Sequence, residues 1–145
     1  MKKLILLFLV FNLLTGFSLK AQTGVPDTLL YLKTIVQHKA HYIGQPFSKL
    51  LDSLQIQIKY FFPFAAIHHN RTKETSTSFS FFFPPPTIDD LYLCFPMLDV
   101  TWLNPVNGDA DQSRMLRNQC DSVGWNSVII NNYSSRIIGD IEVRE

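Results

Sequence analysis

Residues Tyr42 to Phe64, YIGQPFSKLLDSLQIQIKYFFPF, pass from the hydrophobic period of a helix to that of a strand with almost no connecting loop. Phe47, Leu50, Leu51 and Leu54 recur at helical spacing on one stripe, and Ile56, Ile58, Tyr60 and Phe62 then alternate as one face of a strand. Gly44 suits the end of a preceding helix and Pro46 the first turn of this one. A helix and a strand that adjoin so closely must share one core, and the rest of the chain must pack around it.

The first residues do not belong to that core. Lys2 and Lys3 precede an apolar run, Leu4 to Leu14, broken only by Asn12 and followed by a more polar stretch from Ser18 to Gln22. The run is too short for a permanent transmembrane helix, and its flanks are those of a secretory signal peptide. Cleavage after Ala21 leaves a small residue at the cut, and cleavage after Ser18 is the alternative. No cysteine follows the run, so no lipid-anchor site of the bacterial lipoprotein type is seen.

Residues 1–21 are therefore read as a signal peptide and 22–145 as a single domain. Cleavage leaves 145 − 21 = 124 residues, enough for one real core and not for two. It also removes three lysines, so 13 − 3 = 10 basic residues face 12 acidic ones. A mature chain near −2 has no uniformly basic face for nucleic acid, and no later stretch is long and apolar enough to span a membrane. The protein is expected to be secreted or periplasmic, without an integral membrane segment.

Before the central stretch, Asp27 or Thr28 is placed to cap a helix whose inward stripe is Leu29, Leu32, Val36, Ala40 and Ile43. After it, Pro63 to Glu74 is polar and without period. Thr75 to Phe83 alternates, with Thr75, Thr77, Phe79, Phe81 and Phe83 on one face and Ser76, Ser78 and Ser80 on the other. The triproline Pro84 to Pro86 must leave the sheet. A third strand is read at Asp90 to Phe95, with Leu98, Val100 and Trp102 as a bent continuation after Pro96.

Asp109 and Asp111 suit the start of a third helix, with Met115, Leu116, Cys120 and Val123 inward and Gly124 at its end. Trp125 and the run Val128, Ile129, Ile130 and Tyr133 predict a short fourth helix, with a buried strand as the alternative. Ile137, Gly139, Ile141 and Val143 alternate as a final strand. The order ααβββααβ, with short links between consecutive strands, predicts an α+β domain whose antiparallel sheet of three to four strands carries helices on one face.

Chemistry is harder to place. His38 and His41 lie three apart on the outer side of a helix, and His68 and His69 can add a ligand from the loop, so these four are the candidate metal ligands. Neither pair has a carboxylate or cysteine at the spacing of a zinc site. Oxygen-bearing residues from Asn104 to Asp111 suggest a calcium loop but lack the spacing and closing glutamate of an EF-hand, and a turn followed by a capped helix accounts for them. Cys94 and Cys120, in an oxidising compartment, can form a disulfide pinning helix to sheet, worth about 3–4 kcal/mol in the chain-entropy model; two buried thiols is the other reading.

The aromatic residues are the most unusual feature. Tyr60, Phe61, Phe62 and Phe64 precede the polar loop, and Phe79, Phe81, Phe82 and Phe83 follow it. A hairpin of these strands would gather the rings near one end of the sheet, beside the triproline. Such an edge can bind a sugar, an apolar ligand or a partner chain, which makes Phe61, Phe64 and Phe82, with His68, His69 and Arg71 of the loop, the candidate binding residues, packing in the core being the other reading of the rings. No nucleophile elbow, phosphate-cradling glycine loop or His-Glu-x-x-His occurs, and Asp89-Asp90 reads as a turn before a strand.

The segments Leu19-Lys20-Ala21-Gln22, Tyr42 to Phe47 and Ile137 to Ile141 resemble those of small uncharacterised secreted bacterial proteins, a resemblance that implies no activity. The opening order of helix, helix and three strands is similar to that of β-lactamase-inhibitor-like envelope modules, and a similarity of order implies no function. The expectation from sequence is a non-catalytic secreted or periplasmic module that binds an envelope protein partner and needs no cofactor. A metal-binding protein using the histidines, and a hydrolase with an unrecognised site, are the alternatives.

Overall fold

The computed structural model describes residues 27–65, 71–83, 95–105 and 108–145, with the side chains of 121–123 excepted. Several expectations lie outside these residues: the signal peptide, His68 and His69, the triproline, Asp89-Asp90 and Cys94.

Helix α1 spans Thr28–Gln37 and a 3-10 turn Lys39–His41 follows. Helix α2 is Phe47–Ser53, and strands β1, Tyr60–Phe64, β2, Ser76–Ser80, and β3, Met97–Trp102, come next. Helices α3, Asp109–Val123, and α4, Ser127–Ser134, then lead to β4, Ile138–Arg144. The strands form one antiparallel sheet in the order β1-β2-β3-β4. The predicted α+β class and the element order both hold.

Within α1, Asp27 is the cap and accepts from the Leu30 amide at 3.0 Å. The expected four-turn stripe does not form. Leu32 and Ile35 are the buried residues, while Ala40 and Ile43 are exposed, because the helix tightens after Gln37 and the chain must turn back. Gly44, at φ +75°, makes that turn, a conformation that costs glycine little. Its amide then bonds the Ile138 carbonyl at 2.8 Å, and Ile138 N–H returns to Gln45 at 3.0 Å, so the turn ties onto β4.

The sheet is covered on both faces near its centre, which alternation alone does not reveal. The register sets Phe61, Phe79, Leu98 and Val143 side by side, and Pro63, Thr77, Val100 and Ile141 beyond them, on the helix side. Tyr60 and Phe62, the expected inward face of β1, point the other way, and both are nevertheless buried. Ser78 and Ser80, read as the opposite face of β2, are buried too. On that second face Ser78 donates to Asp99, which pairs with Arg144 at 2.7 Å, and the Arg144 guanidinium lies 5.4 Å above the Phe64 ring. β3 forms from the stretch read as a continuation, while the first five residues of the strand read at Asp90 to Phe95 lie outside the described set.

Aromatic rings fill the space between helices and sheet. Phe47 of α2 stacks on Phe79 at 4.8 Å, and Tyr133 of α4 meets Phe61, Phe79 and Trp102 at 5.3, 5.8 and 5.7 Å. Offset and edge contacts of this kind add about 0.5–1.5 kcal/mol each beyond their burial. Met115, expected inward, is exposed, because α3 turns Ala110, Ser113, Leu116 and Cys120 to the core instead. Phe83 likewise projects into solvent, with the Lys59 ammonium 5.5 Å from its ring.

β4 bends where it passes β3. Thr101 pairs with Asp140 and Trp102 with Ile138, so Gly139 is an extra residue in a bulge. A Cβ on Gly139 would stand 3.1 Å from Leu103 N and 3.2 Å from its Cα. Ile138, beside the bulge, is fully buried.

Candidate functional site

The most heavily engaged polar side chain is one the sequence did not single out. Glu74 lies in the turn before β2, and that turn is stapled at both sides: Thr75 N–H bonds Phe64 O at 2.9 Å, and Thr72 O accepts from Gly108 and Ala110 at 3.1 and 3.0 Å. Held between β1 and the start of α3, the Glu74 side chain runs inward and is fully buried.

Four donors meet its two oxygens. Oε1 accepts from Thr77 and from the Tyr133 hydroxyl, the latter at 3.0 Å; Oε2 accepts from Ser113 and from Arg136 Nη1, the latter at 2.6 Å. A carboxylate has about four lone-pair positions, so this one is saturated and has none left for a substrate. The donors are held in turn: Trp102 Nε1 donates to Thr77 at 2.9 Å, and Arg136 Nη2 donates to Ser113 at 3.2 Å and to Asn132 Oδ1 at 3.0 Å. The guanidinium also lies 4.3 Å from the Tyr133 ring centre and 5.6 Å from that of Trp102. Burial, and next the negative charge of Glu74, push the Tyr133 hydroxyl well above the ordinary tyrosine range.

Two concavities flank α4. A groove of about 510 Å³ lies between α2 and α4, floored by Leu51, Leu54, Ile56, Ile58, Trp125 and Ile130 and rimmed by Ser48, Asp52, Gln55, Gln57 and Ser134. Among the described residues, the backbone N–H and C=O groups of Ile56, Gln57 and Ile58 make no hydrogen bond, although the adjoining Gln55 and Lys59 amides are bonded to Tyr31 Oη and Ser80 O at 2.8 Å each. A smaller cleft of about 280 Å³ is lined by Trp102, Asn104, Pro105, Asp109, Gln112, Asn132, Ser135, Arg136 and Ile137.

The residues expected from sequence are scattered. Phe61 is a core ring, packed edge-on to Trp125 at 5.5 Å and fully buried. Phe64 is half-buried under Arg144, Arg71 is exposed in its turn, and Phe82 is half-buried and stacked on Phe95 at 4.7 Å. Phe64 and Phe82 stand at opposite ends of the β1–β2 pair, so the rings do not gather at one end. The His38 and His41 rings are near-parallel at 6.3 Å, with His38 Nδ1 2.8 Å from Thr34 O. Among the described residues no three His, Cys, Asp or Glu side chains come together as metal ligands would. Cys120 is buried, its Sγ 3.7 Å from Lys59 O.

The buried pair left one trace in the sequence. Tyr133 and Arg136 are three apart across the end of a helix, which puts both on one side, but nothing there names Glu74 as their partner. No protein-family model, curated protein or solved structure matches this chain.

Proposed function

We propose that the protein is a secreted or periplasmic binding module that takes an extended segment of a partner protein in the groove between α2 and α4. The observation that carries the reading is the main chain of Ile56 and Gln57, which bonds to no described residue, beside an apolar floor. Main-chain groups left unpaired along an extended edge are satisfied by adding a strand, which supplies affinity, while apolar floor positions select side chains of the added segment. Amide and hydroxyl groups at the rim suit the polar backbone of such a segment.

The saturated Glu74 fits a scaffold role within this reading: it fixes α4, one wall of the groove, to the sheet through Tyr133. Selection from a library of linear peptides tests the proposal. Peptides with alternating apolar positions should be enriched, and Gln57→Pro, which deletes one main-chain donor, and Ile56→Asp, which charges the floor, should both abolish their binding while the unfolding midpoint stays put. Enriched peptides indifferent to both substitutions, or no enrichment at all, would overturn it.

A further inference from the structure

Among the described residues that line the groove between α2 and α4, one carries a charge. Asp52 stands exposed on the rim, beside the floor residues Leu51 and Leu54. Its carboxylate has no hydrogen bond or ion pair among the described residues. Two nearby donors are committed elsewhere: the Ser53 hydroxyl donates to Leu50 O and the Gln55 amide to Tyr31 Oη, each at 2.8 Å. Asp52 also lies in the last turn of α2, where the aligned peptide dipoles already make a negative end and a carboxylate is disfavoured. No contact within the described fold offsets that placement.

Two ammonium groups stand near it, and neither lines the groove. Lys49 is one turn back on α2 and forms no ion pair with Asp52. Lys59 donates to Gln57 Oε1 at 2.6 Å and lies 5.5 Å from the Phe83 ring. The chain that lines the groove runs from Asp52 through Gln55 to Ile58, so the carboxylate marks one end of it and Lys59 lies just past the other. A base on the occupant is attracted at the first end and repelled at the second, and charge therefore selects direction as well as sequence.

We infer that the extended segment taken by the groove carries a lysine or arginine at the end that lies against α2, where its cationic head pairs with Asp52 and its methylene stem covers Leu51 and Leu54. This rests on the groove reading proposed above and names the kind of segment that fits it. Long basic side chains bury their stems along apolar surface while the head stays in water, which suits a carboxylate set on the rim of an apolar floor. The pair is solvent-exposed, so its contribution to affinity is modest, while an acid at the same position meets both Asp52 and the negative end of α2 and is rejected.

Selection of linear peptides on the full chain, run in parallel on Asp52→Lys, tests this. The native chain should enrich peptides with a basic residue at a fixed place to one side of alternating apolar positions, and Asp52→Lys should enrich an acid at that place while keeping the apolar positions. One enriched peptide is then compared with its counterpart bearing glutamine for the base. Asp52→Asn should weaken the basic peptide about twofold to fivefold, the range of an exposed ion pair, leave the glutamine peptide unchanged, and not lower the unfolding midpoint. Peptides that lose binding on Gln57→Pro yet show no basic preference, or a preference that Asp52→Lys leaves intact, would overturn this inference and leave the groove reading standing. Enrichment of no peptide would overturn both.

Discussion

Arg136 Nη1 lies 2.6 Å from Glu74 Oε2, joining the loop before β2 to the link between α4 and β4, with the carboxylate fully buried. Removing one member of such a pair strands a charge that water cannot reach. Arg136→Met should therefore cost about 3–5 kcal/mol in denaturant unfolding. Adding Glu74→Leu should restore part of this and not all, because Thr77, Ser113 and Tyr133 would still aim hydroxyl donors at an apolar side chain. A double variant no more stable than Arg136→Met alone would mean the pair is not what the other donors are organised around.

Tyr133→Phe keeps the ring contacts with Phe61, Phe79 and Trp102 and deletes one donor to Glu74. A loss of about 1.5–3 kcal/mol is expected, the range for a hydrogen bond to a charged group. Alkaline pH should reveal the same contact. The native hydroxyl keeps its proton above the ordinary tyrosine value of 10.0, while the unfolded chain releases it there. Above that pH the native state binds more protons than the unfolded one, so stability falls as pH rises. Urea unfolding on either side of about pH 10 should show the fall in the native chain and a shallower one in Tyr133→Phe.

Gly139→Ala should destabilise by about 1–3 kcal/mol, since the added methyl meets backbone atoms of Leu103 and Thr101 that no rotamer change can move. Thermal unfolding measures it. A neutral result would show that the bulge relaxes with the strand.

Phe61→Ser and Phe82→Ser should separate sharply. The first empties a fully buried site among Trp125, Tyr133 and Tyr60 and should cost more than about 3 kcal/mol. The second removes one half-buried stacking partner of Phe95 and should cost less than half as much. Equal losses by chemical denaturation would place Phe82 in the core as well.

Lys39 illustrates a weaker tie. By donating to Asp140 at 2.6 Å it holds that carboxyl below the usual range and links the 3-10 turn to β4. The link is solvent-screened, so Lys39→Ala should change stability by less than about 1 kcal/mol at neutral pH. Because a lowered carboxyl pKa stabilises only above the unfolded value, even that contribution should vanish on acidification.

What the sequence made legible is the succession of elements, because each changes hydrophobic period or carries a cap. Phe47 and Leu50 announce α2, and Gly124 closes α3 as expected. Which face of a strand turns inward was less legible. Tyr60 and Phe62 alternate as an inward face should, yet β1 is buried on both sides, and periodicity cannot rank two buried faces. The buried site was least legible of all. Glu74 stands among Arg71, Thr72, Lys73 and Thr75, polar neighbours typical of a solvated turn, and its distant partners come from two segments far along the chain.

Those distances in sequence have a consequence for how the chain is made. Ser113, Tyr133 and Arg136 lie 39, 59 and 62 residues beyond Glu74. Synthesis proceeds from the N-terminus, so the acid emerges long before its cation. Until Arg136 is available, closing the core around Glu74 means burying an uncompensated charge. A chain cut short before Arg136 would thus carry a built-in obstacle to compaction.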